Sequence, residues 1–504
     1  MIDFLYLLPQ SVLFHLISGW WCFKDLGRLD SAVCLKKARS MFEQTLHATP
    51  LRHTEREVAI NDSLALWIIK RRVKHKELFV EKEFEKLSSE IERKLFQSTG
   101  SSLRALVVDS SYSCNSTDST VLNLCTFATG LELCIIRSVI SDGAACFLLA
   151  RNERLRVLSL NGPDLLYRLG RMNCCARLTD LTIVKDVSAA SLGQFLEVCS
   201  PKLERLCLPQ CQYFSAKVFE QLQHFQQLRV LHIAGLSCTD LAKVCVPSLV
   251  ELKVYFHAYN ADTLAAIAKS FPSLLSLLLD SLGSALTTIV LLQLLGLMPG
   301  LRFLSAWNGV SNPPEKPFAP AIIKNSSQCN LERLHASIRT EFDLTALLTM
   351  CPGLFEVFFW VLPTVRTALQ GTTGSIRNLH VHSDINVTDK NVAGIGGLHE
   401  LRLVYCWHLT DQGLMVLAKN NPELRVLELK NIGCGTSTPP TSVSYKGLFA
   451  FLDLCPRLTS VTYMFNISKV NGTSTGANIG VGEMLHLLVR KSYPNLQHFE
   501  CNIA

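Results

Sequence analysis

Three histidines are the first candidates for chemistry. His380 and His382 stand two residues apart, and His335 holds a matching place in an earlier segment. Imidazoles at alternate positions of one strand point the same way, so a metal site can be drawn through them. The pattern sets no carboxylate or thiolate beside them. Solvent-facing histidines without a metal are therefore expected, and no cofactor is. The nineteen cysteines are odd in number, and no two have Cys-x-x-Cys spacing, so zinc-ribbon and redox-motif chemistry lack their basic signal. No phosphate-binding Gly-Lys-Ser/Thr loop and no His-Glu-x-x-His occurs. The expectation is a chain that is not an enzyme and whose useful side chains bind.

A steady beat of apolar residues must position those side chains. L-x-x-L-x-L, or its apolar equivalent, starts at Leu103, Leu131, Leu155, Leu178, Leu203, Leu228, Leu249, Leu274, Leu301, Leu331, Leu354, Ile376, Leu398, Leu424, Leu458 and Leu496. A weaker unit centres on Leu78 and Val80. Proline stands two residues before the first leucine at Pro201, Pro247, Pro272, Pro299, Pro352, Pro422, Pro456 and Pro494, each after an apolar run with helical spacing. Lacking a backbone donor, proline ends the helix and turns the chain into the next strand. Period and pattern are those of leucine-rich repeats, each a short strand followed by a helix. The expected fold is an α/β solenoid: a horseshoe with a parallel ladder inside and helices outside, about 16–17 repeats over residues 73–504.

In such a strand the leucines face inward and the residues between and after them face the concave surface. The outward positions include Tyr255, Trp307, Trp360 and His382, with His335, Phe358 and His380 facing the same way. Exposed aromatics bury much area at small entropic cost, so these seven residues are the candidate substrate-binding surface. The competing expectation is that Trp307 and Trp360 fold sideways and stiffen the sheet. Insertions at Asn308–Ala321, Asn431–Tyr445 and Asn466–Gly482, rich in Pro, Gly, Ser, Thr and Asn, leave from the same strand edge and would rim that surface or be idle excursions.

Bulk properties narrow the class. Apolar residues make up 48% and charged residues 18%, enough for a large core. The net charge of +7 is spread along the chain, and the charge-rich stretch Arg52–Lys94 mixes both signs, so no nucleic-acid partner is expected. Two apolar stretches invite a membrane reading. Ile2–Phe23 lacks a basic leader and carries Pro9, Gln10 and His15, and Ser281–Leu301 keeps the repeat phase, so no membrane partner is expected. Six Asn-x-Ser/Thr strings mean little alone. Cysteines beside leucines behave as small buried hydrophobes and point to a reducing compartment, cytoplasm or nucleus.

The unit Leu398–Leu424 runs L-x-x-L-x-L, Cys406, Leu409-Thr410-Asp411, Gly413-Leu414, Leu417-Ala418 and Pro422, with Thr410 or Asp411 able to cap its helix. It resembles the cysteine-containing class of leucine-rich repeat, common in F-box proteins. Residues 5–46 leave the repeat and show three apolar stripes at helical spacing: Leu13, Leu16, Ile17, Trp20; Leu26, Leu29, Val33; and Ala38, Met41, Phe42, Leu46. Leu8-Pro9, Leu13, Ile17, Asp25-Leu26, Leu29 and Val33-Cys34 resemble an F-box over about forty residues. The match departs where the tryptophan usual after Val-Cys is absent and where Trp20-Trp21 fills the first interhelical loop. Thr54–Arg71 then reads as a helix opened by a Thr54/Glu57 capping box, closing the array's first end.

The resemblance implies an F-box-like helical module at 1–50, a connecting helix at 51–72 and the repeats. It implies a substrate-recognition subunit of an SCF-type cullin–RING ubiquitin ligase. A Skp-family adaptor, and through it the cullin, would dock on Leu8, Pro9, Leu13, Ile17, Leu26, Leu29 and Val33, and a protein substrate on the concave face. Two rivals stand: an interaction scaffold or sensor whose N-terminal helices only cap the array, and an extracellular or membrane-tethered receptor with disulfides or glycans.

Overall fold

The computed structural model describes residues 62–71, 76–80, 87–108, 114–161, 166–169, 177–184, 187–199, 201–209, 220–234, 245–256, 261–281, 288–308, 329–338, 347–348, 350–361, 376–383, 387–406, 408–430, 445–465, 492–493 and 495–503. By its contacts the chain divides into two compact units, Met1–Leu249 and Val250–Ala504.

In the first unit, β1 (Glu77–Val80), β2 (Ala105–Val108), β3 (Leu133–Val139), β4 (Val157–Asn161), β5 (Asp180–Ile183), β6 (Arg205–Leu208) and β7 (Val230–Ala234) pair in parallel and in chain order. Helices Asp62–Arg71, Ser89–Thr99, Cys114–Phe127, Asp142–Arg151, Leu166–Leu169 and Ala189–Val198 alternate with them. In the second unit, β8 (Glu251–Phe256), β9 (Ser276–Ser281), β10 (Phe303–Asn308), β11 (Arg333–Ile338), β12 (Glu356–Val361), β13 (Asn378–Ser383), β14 (Glu400–Val404), β15 (Val426–Lys430), β16 (Ser460–Phe465) and β17 (His498–Ile503) do the same. The helices described there are Ala261–Ser270, Thr288–Leu297, Asp389–Val392, Asp411–Asn420 and Tyr445–Leu454. Parallel strands need a crossover between them, and in each unit the helices supply it where they are described.

Each leucine triplet expected from the sequence places its second and third apolar residues on one of these strands, with the first standing two residues ahead of it. Register sets like on like: Leu277, Leu304, Leu334, Val357, Leu379, Leu401, Leu427 and Val461 are successive neighbours in one row, all fully buried. Burying one such side chain contributes roughly 1.5–3 kcal/mol, so the rows dominate the stability of each ladder. Helices meet the rows through matching stripes, as Leu414, Leu417 and Ala418 do in Asp411–Asn420. This is leucine-rich-repeat architecture.

The prolines do more than stop helices. Leu249, Leu274, Leu301, Leu354, Leu424 and Leu458 each donate their N–H to the carbonyl three residues back, closing a β-turn with Pro247, Pro272, Pro299, Pro352, Pro422 or Pro456 at its second position. Proline's fixed φ suits that position and lowers the entropy lost there. Where Asn opens the turn, it also reaches the previous repeat. Asn421 is fully buried; its Oδ1 accepts from Leu398 N at 2.8 Å, and its Nδ2 donates to Ile395 O at 3.1 Å and Leu417 O at 2.7 Å. Asn152 does the same work, accepting from Leu131 N at 3.0 Å and donating to Leu148 O at 2.9 Å.

Of the two capping candidates, Thr410 is the cap: its hydroxyl accepts from Gln412 N at 3.2 Å. Asp389 of the preceding repeat binds it in turn, accepting from Thr410 N at 2.9 Å and Thr410 Oγ1 at 2.5 Å. The connecting helix is described over Asp62–Arg71, with Ala65 and Ile68 buried, and it packs beside Ser89–Thr99; Thr54 and Glu57 lie outside the described residues. Within Ser281–Leu301 the described helix is Thr288–Leu297, ten residues, and no helix among the described residues is long and apolar enough to cross a membrane. The F-box-like stretch lies outside the described residues, as do the three insertions apart from their ends: Asn308 closes β10 and Tyr445 opens a helix.

Candidate functional site

Side chains alternate along each strand, so once the leucines are buried the intervening residues line the ladder's other face. In the second unit, the row between the two buried rows runs Ser305, His335, Phe358, His380, Arg402, Glu428 across β10 to β15. Two residues earlier on the same face lie Phe303, Arg333, Glu356, Asn378, Glu400 and Val426. Neighbouring strands lie about 4.8 Å apart, close enough for each side chain to touch the next in its row and the diagonal one as well.

The rings form a continuous run. Phe303 and His335 meet edge to face at 5.0 Å between centroids, His335 and Phe358 tilt at 5.5 Å, and Phe358 and His380 meet edge to face at 5.9 Å. Arg333 closes the near end with its guanidinium 4.9 Å from the Phe303 centroid. Each described histidine of this row has a glutamate diagonal to it on the next strand. His335 Nε2 lies 3.0 Å from Glu356 Oε1, and His380 Nε2 lies 3.1 Å from Glu400 Oε1. Beyond His380 the rings give way to alternating charge. Arg402 spans Glu400 (Nε–Oε1, 2.5 Å) and Glu428 (Nη1–Oε2, 3.4 Å), and Lys430 Nζ reaches Glu428 Oε1 at 2.5 Å. The His380 bond, then the arginine, hold the Glu400 carboxyl below its ordinary range although burial opposes this.

Four of the seven predicted binding residues have described side chains. His335, Phe358 and His380 come together in one row; His382 shares their face of β13, its ring 5.0 Å from that of Tyr405. Tyr255, Trp307 and Trp360 are placed only by backbone. Tyr255 and Trp307 both register with Asp280, and Trp360 lies between Ser337 and His382; their side chains are outside the described residues. The sideways packing weighed for the tryptophans is what the described rings do, each resting on a ring of a neighbouring repeat, yet all four remain partly exposed.

The histidine reading needs correcting. The carboxylates expected to be missing beside His335 and His380 are present as Glu356 and Glu400, brought in diagonally from the next strand. Nor do the three imidazoles converge: Phe358 stands between His335 and His380, and among the described residues no group of three His, Cys, Asp or Glu is placed to hold a metal. Tyr405 was not anticipated. It follows β14 with φ 58°, the left-handed region, and its N–H donates to Lys430 O at 2.9 Å. Non-glycine residues persist there only when surroundings enforce it, and such positions cluster at functional surfaces.

Two further strings in the sequence resemble motifs that carry chemistry or charge. Gly472-Thr473-Ser474-Thr475-Gly476 is a Gly-x-Ser-x-Gly string, but it lies in an insertion, outside the described residues, rather than on a strand-to-helix turn. Lys70-Arg71-Arg72-Val73-Lys74-His75-Lys76 is a local basic run, of which Lys70 and Arg71 complete the helix from Asp62, where cations suit the C-terminal dipole.

No protein-family profile matches the chain, and no curated protein matches it. Among solved structures, it is similar to the leucine-rich repeat-containing protein LegL7 from Legionella pneumophila, at 14% identity over 48% of this chain and 78% of that one, with a TM-score of 0.28. The repeat architecture therefore rests on the chain's own parallel ladders and the leucines that register along them.

Proposed function

We propose that the chain is a non-catalytic recognition subunit that holds a protein partner on the open face of β10–β15 and delivers it to a ubiquitin ligase of the SCF type. The observation that carries the binding half is the run of ring contacts Phe303–His335–Phe358–His380, whose row continues into Arg402 and Glu428. It offers large rings for area and a fixed charge pattern for discrimination, both on rigid strands. Preorganised rings lose little entropy when covered, which is how a sheet face becomes a hot spot.

The delivery half rests on the resemblance of Leu8, Pro9, Leu13, Ile17, Leu26, Leu29 and Val33 to an F-box that would bind a Skp-family adaptor and, through it, a cullin. No bond chemistry is assigned to the chain; bringing its partner near a ligase raises the partner's effective concentration there. The buried free thiols Cys125, Cys134 and Cys406, at repeat positions, support a reducing compartment, cytoplasm or nucleus. The test is reconstitution: purified full chain and Skp-family adaptor should co-elute on size exclusion, and Leu8→Ala with Pro9→Ala should abolish co-elution. A wild-type chain that elutes alone contradicts the delivery half and leaves an interaction scaffold with the same face.

A further inference from the structure

Buried thiols recur through both units, and most are inert: burial pushes those of Cys199, Cys406 and Cys455 up to about 12. Cys329 and Cys351 differ. They lie on adjacent repeats just ahead of β11 and β12, both buried, and their sulfurs meet at 2.7 Å. Cys329 stands two residues before Leu331, where eight other repeats place proline. Backbone bonds hold both ends of the contact, Cys329 N donating to Met350 O at 2.9 Å and Cys351 N to Leu347 O at 2.8 Å. The Cys351 S–H and the Leu331 N–H both serve the Cys329 sulfur, pulling its thiol down to about 7 against the opposing effect of burial, while Cys351 beside it is pushed far up. Either sulfur can donate across the 2.7 Å contact, and the Leu331 N–H favours the thiolate at Cys329.

We infer that Cys329 and Cys351 form an oxidation site, which a small peroxide converts into a disulfide joining the repeats of β11 and β12. The Cys329 thiolate attacks one oxygen of hydrogen peroxide. The O–O bond breaks, leaving a sulfenic acid on Cys329 and a hydroxide that takes up a proton as water. The Cys351 sulfur then attacks the Cys329 sulfur, the S–O bond breaks, and the Cys351 proton leaves with that oxygen as a second water. Two thiols and one peroxide give one disulfide and two waters; the sulfurs lose two electrons and the peroxide gains them. Sulfurs already in contact across two fixed backbones need little movement to bond. The link ties together the leading ends of the strands that carry His335 and Phe358.

The test uses the full chain, reduced, treated with hydrogen peroxide and mapped as peptides without reductant. A Cys329–Cys351 cross-link that dithiothreitol reverses is expected, with the melting temperature raised by a few degrees. In Cys351→Ser the serine hydroxyl still donates, so dimedone should label Cys329; in Cys329→Ser, Cys351 should stay unlabelled. The inference is overturned if both thiols remain alkylatable in denaturant at a peroxide dose that oxidises the exposed Cys245, or if dimedone labels the two variants equally. Should either variant lose its native circular dichroism, the wild-type map decides alone.

Discussion

His380 Nε2 on β13 lies 3.1 Å from Glu400 Oε1 on β14, and the same oxygen takes the Arg402 Nε hydrogen at 2.5 Å. An ionised carboxylate only accepts, so both nitrogens donate, and one oxygen fastens the ring half of the face to its charged half. The carboxyl of Glu400 is held below its ordinary value in the fold. A depressed carboxyl adds stability that is complete above the unfolded value, about 4.3, and is lost as pH falls through the lower folded value. Glu400→Gln should therefore melt earlier than wild type at pH 6–7, with the gap closing as both are titrated toward pH 3. A gap independent of pH would show that Glu400 acts through packing rather than charge.

Asn421 commits both ends of its amide, joining its own repeat to the preceding one. Asn421→Ala strands the Leu398 N–H and the Ile395 and Leu417 carbonyls, and each buried polar group left unpaired costs about 1–3 kcal/mol. The melting temperature should drop by several degrees, and amide exchange at Leu398 should quicken. Unchanged exchange there would mean that water replaces the side chain.

Gly413 has no room for a methyl group. A Cβ added to it would lie 2.2 Å from Asp389 Oδ1 and 2.7 Å from Leu409 Cδ1, and Asp389 is fixed by its two bonds to Thr410. Gly413→Ala, which elsewhere in a helix helps, should here destabilise by about 1–3 kcal/mol in urea denaturation. Asp389→Ala in the same chain should recover part of the loss. A stabilised Gly413→Ala would contradict the close approach.

Alanine at Phe358, His380, Trp307 and Trp360, made singly, should reduce capture of the protein partner about tenfold or more for the strongest position, since few residues carry most of an interface. Ring contacts contribute only about 0.5–1.5 kcal/mol to the fold, so melting should shift little at Phe358 and His380. Capture unchanged from wild type in all four would move the partner off this face.

Leucine triplets and turn prolines were legible because both are one-dimensional: a residue type at a fixed distance along the chain. They locate each strand and predict correctly that His335, Phe358 and His380 share a face. What sits diagonal to what depends on register between strands. Glu356 is 21 positions from His335, and Glu400 is 20 from His380, separations that no local motif reports. The same blindness hid the Asp389–Gly413 approach and the thiol contact of Cys329 with Cys351, both between adjacent repeats. Tyr405 was missed because its left-handed backbone is imposed by the turn after β14 and has no signature in residue type.

The most direct test of recognition coupled to delivery is quantitative affinity purification of three full-length forms from cells: wild type, Leu8→Ala with Pro9→Ala, and Phe358→Ala with His380→Ala. Adaptor and cullin should accompany the wild type and the face variant and be lost from the N-terminal variant. A separate set of proteins should accompany the wild type and the N-terminal variant and be lost from the face variant. Absence of adaptor and cullin from the wild type, or identical partner sets in all three forms, would contradict the account.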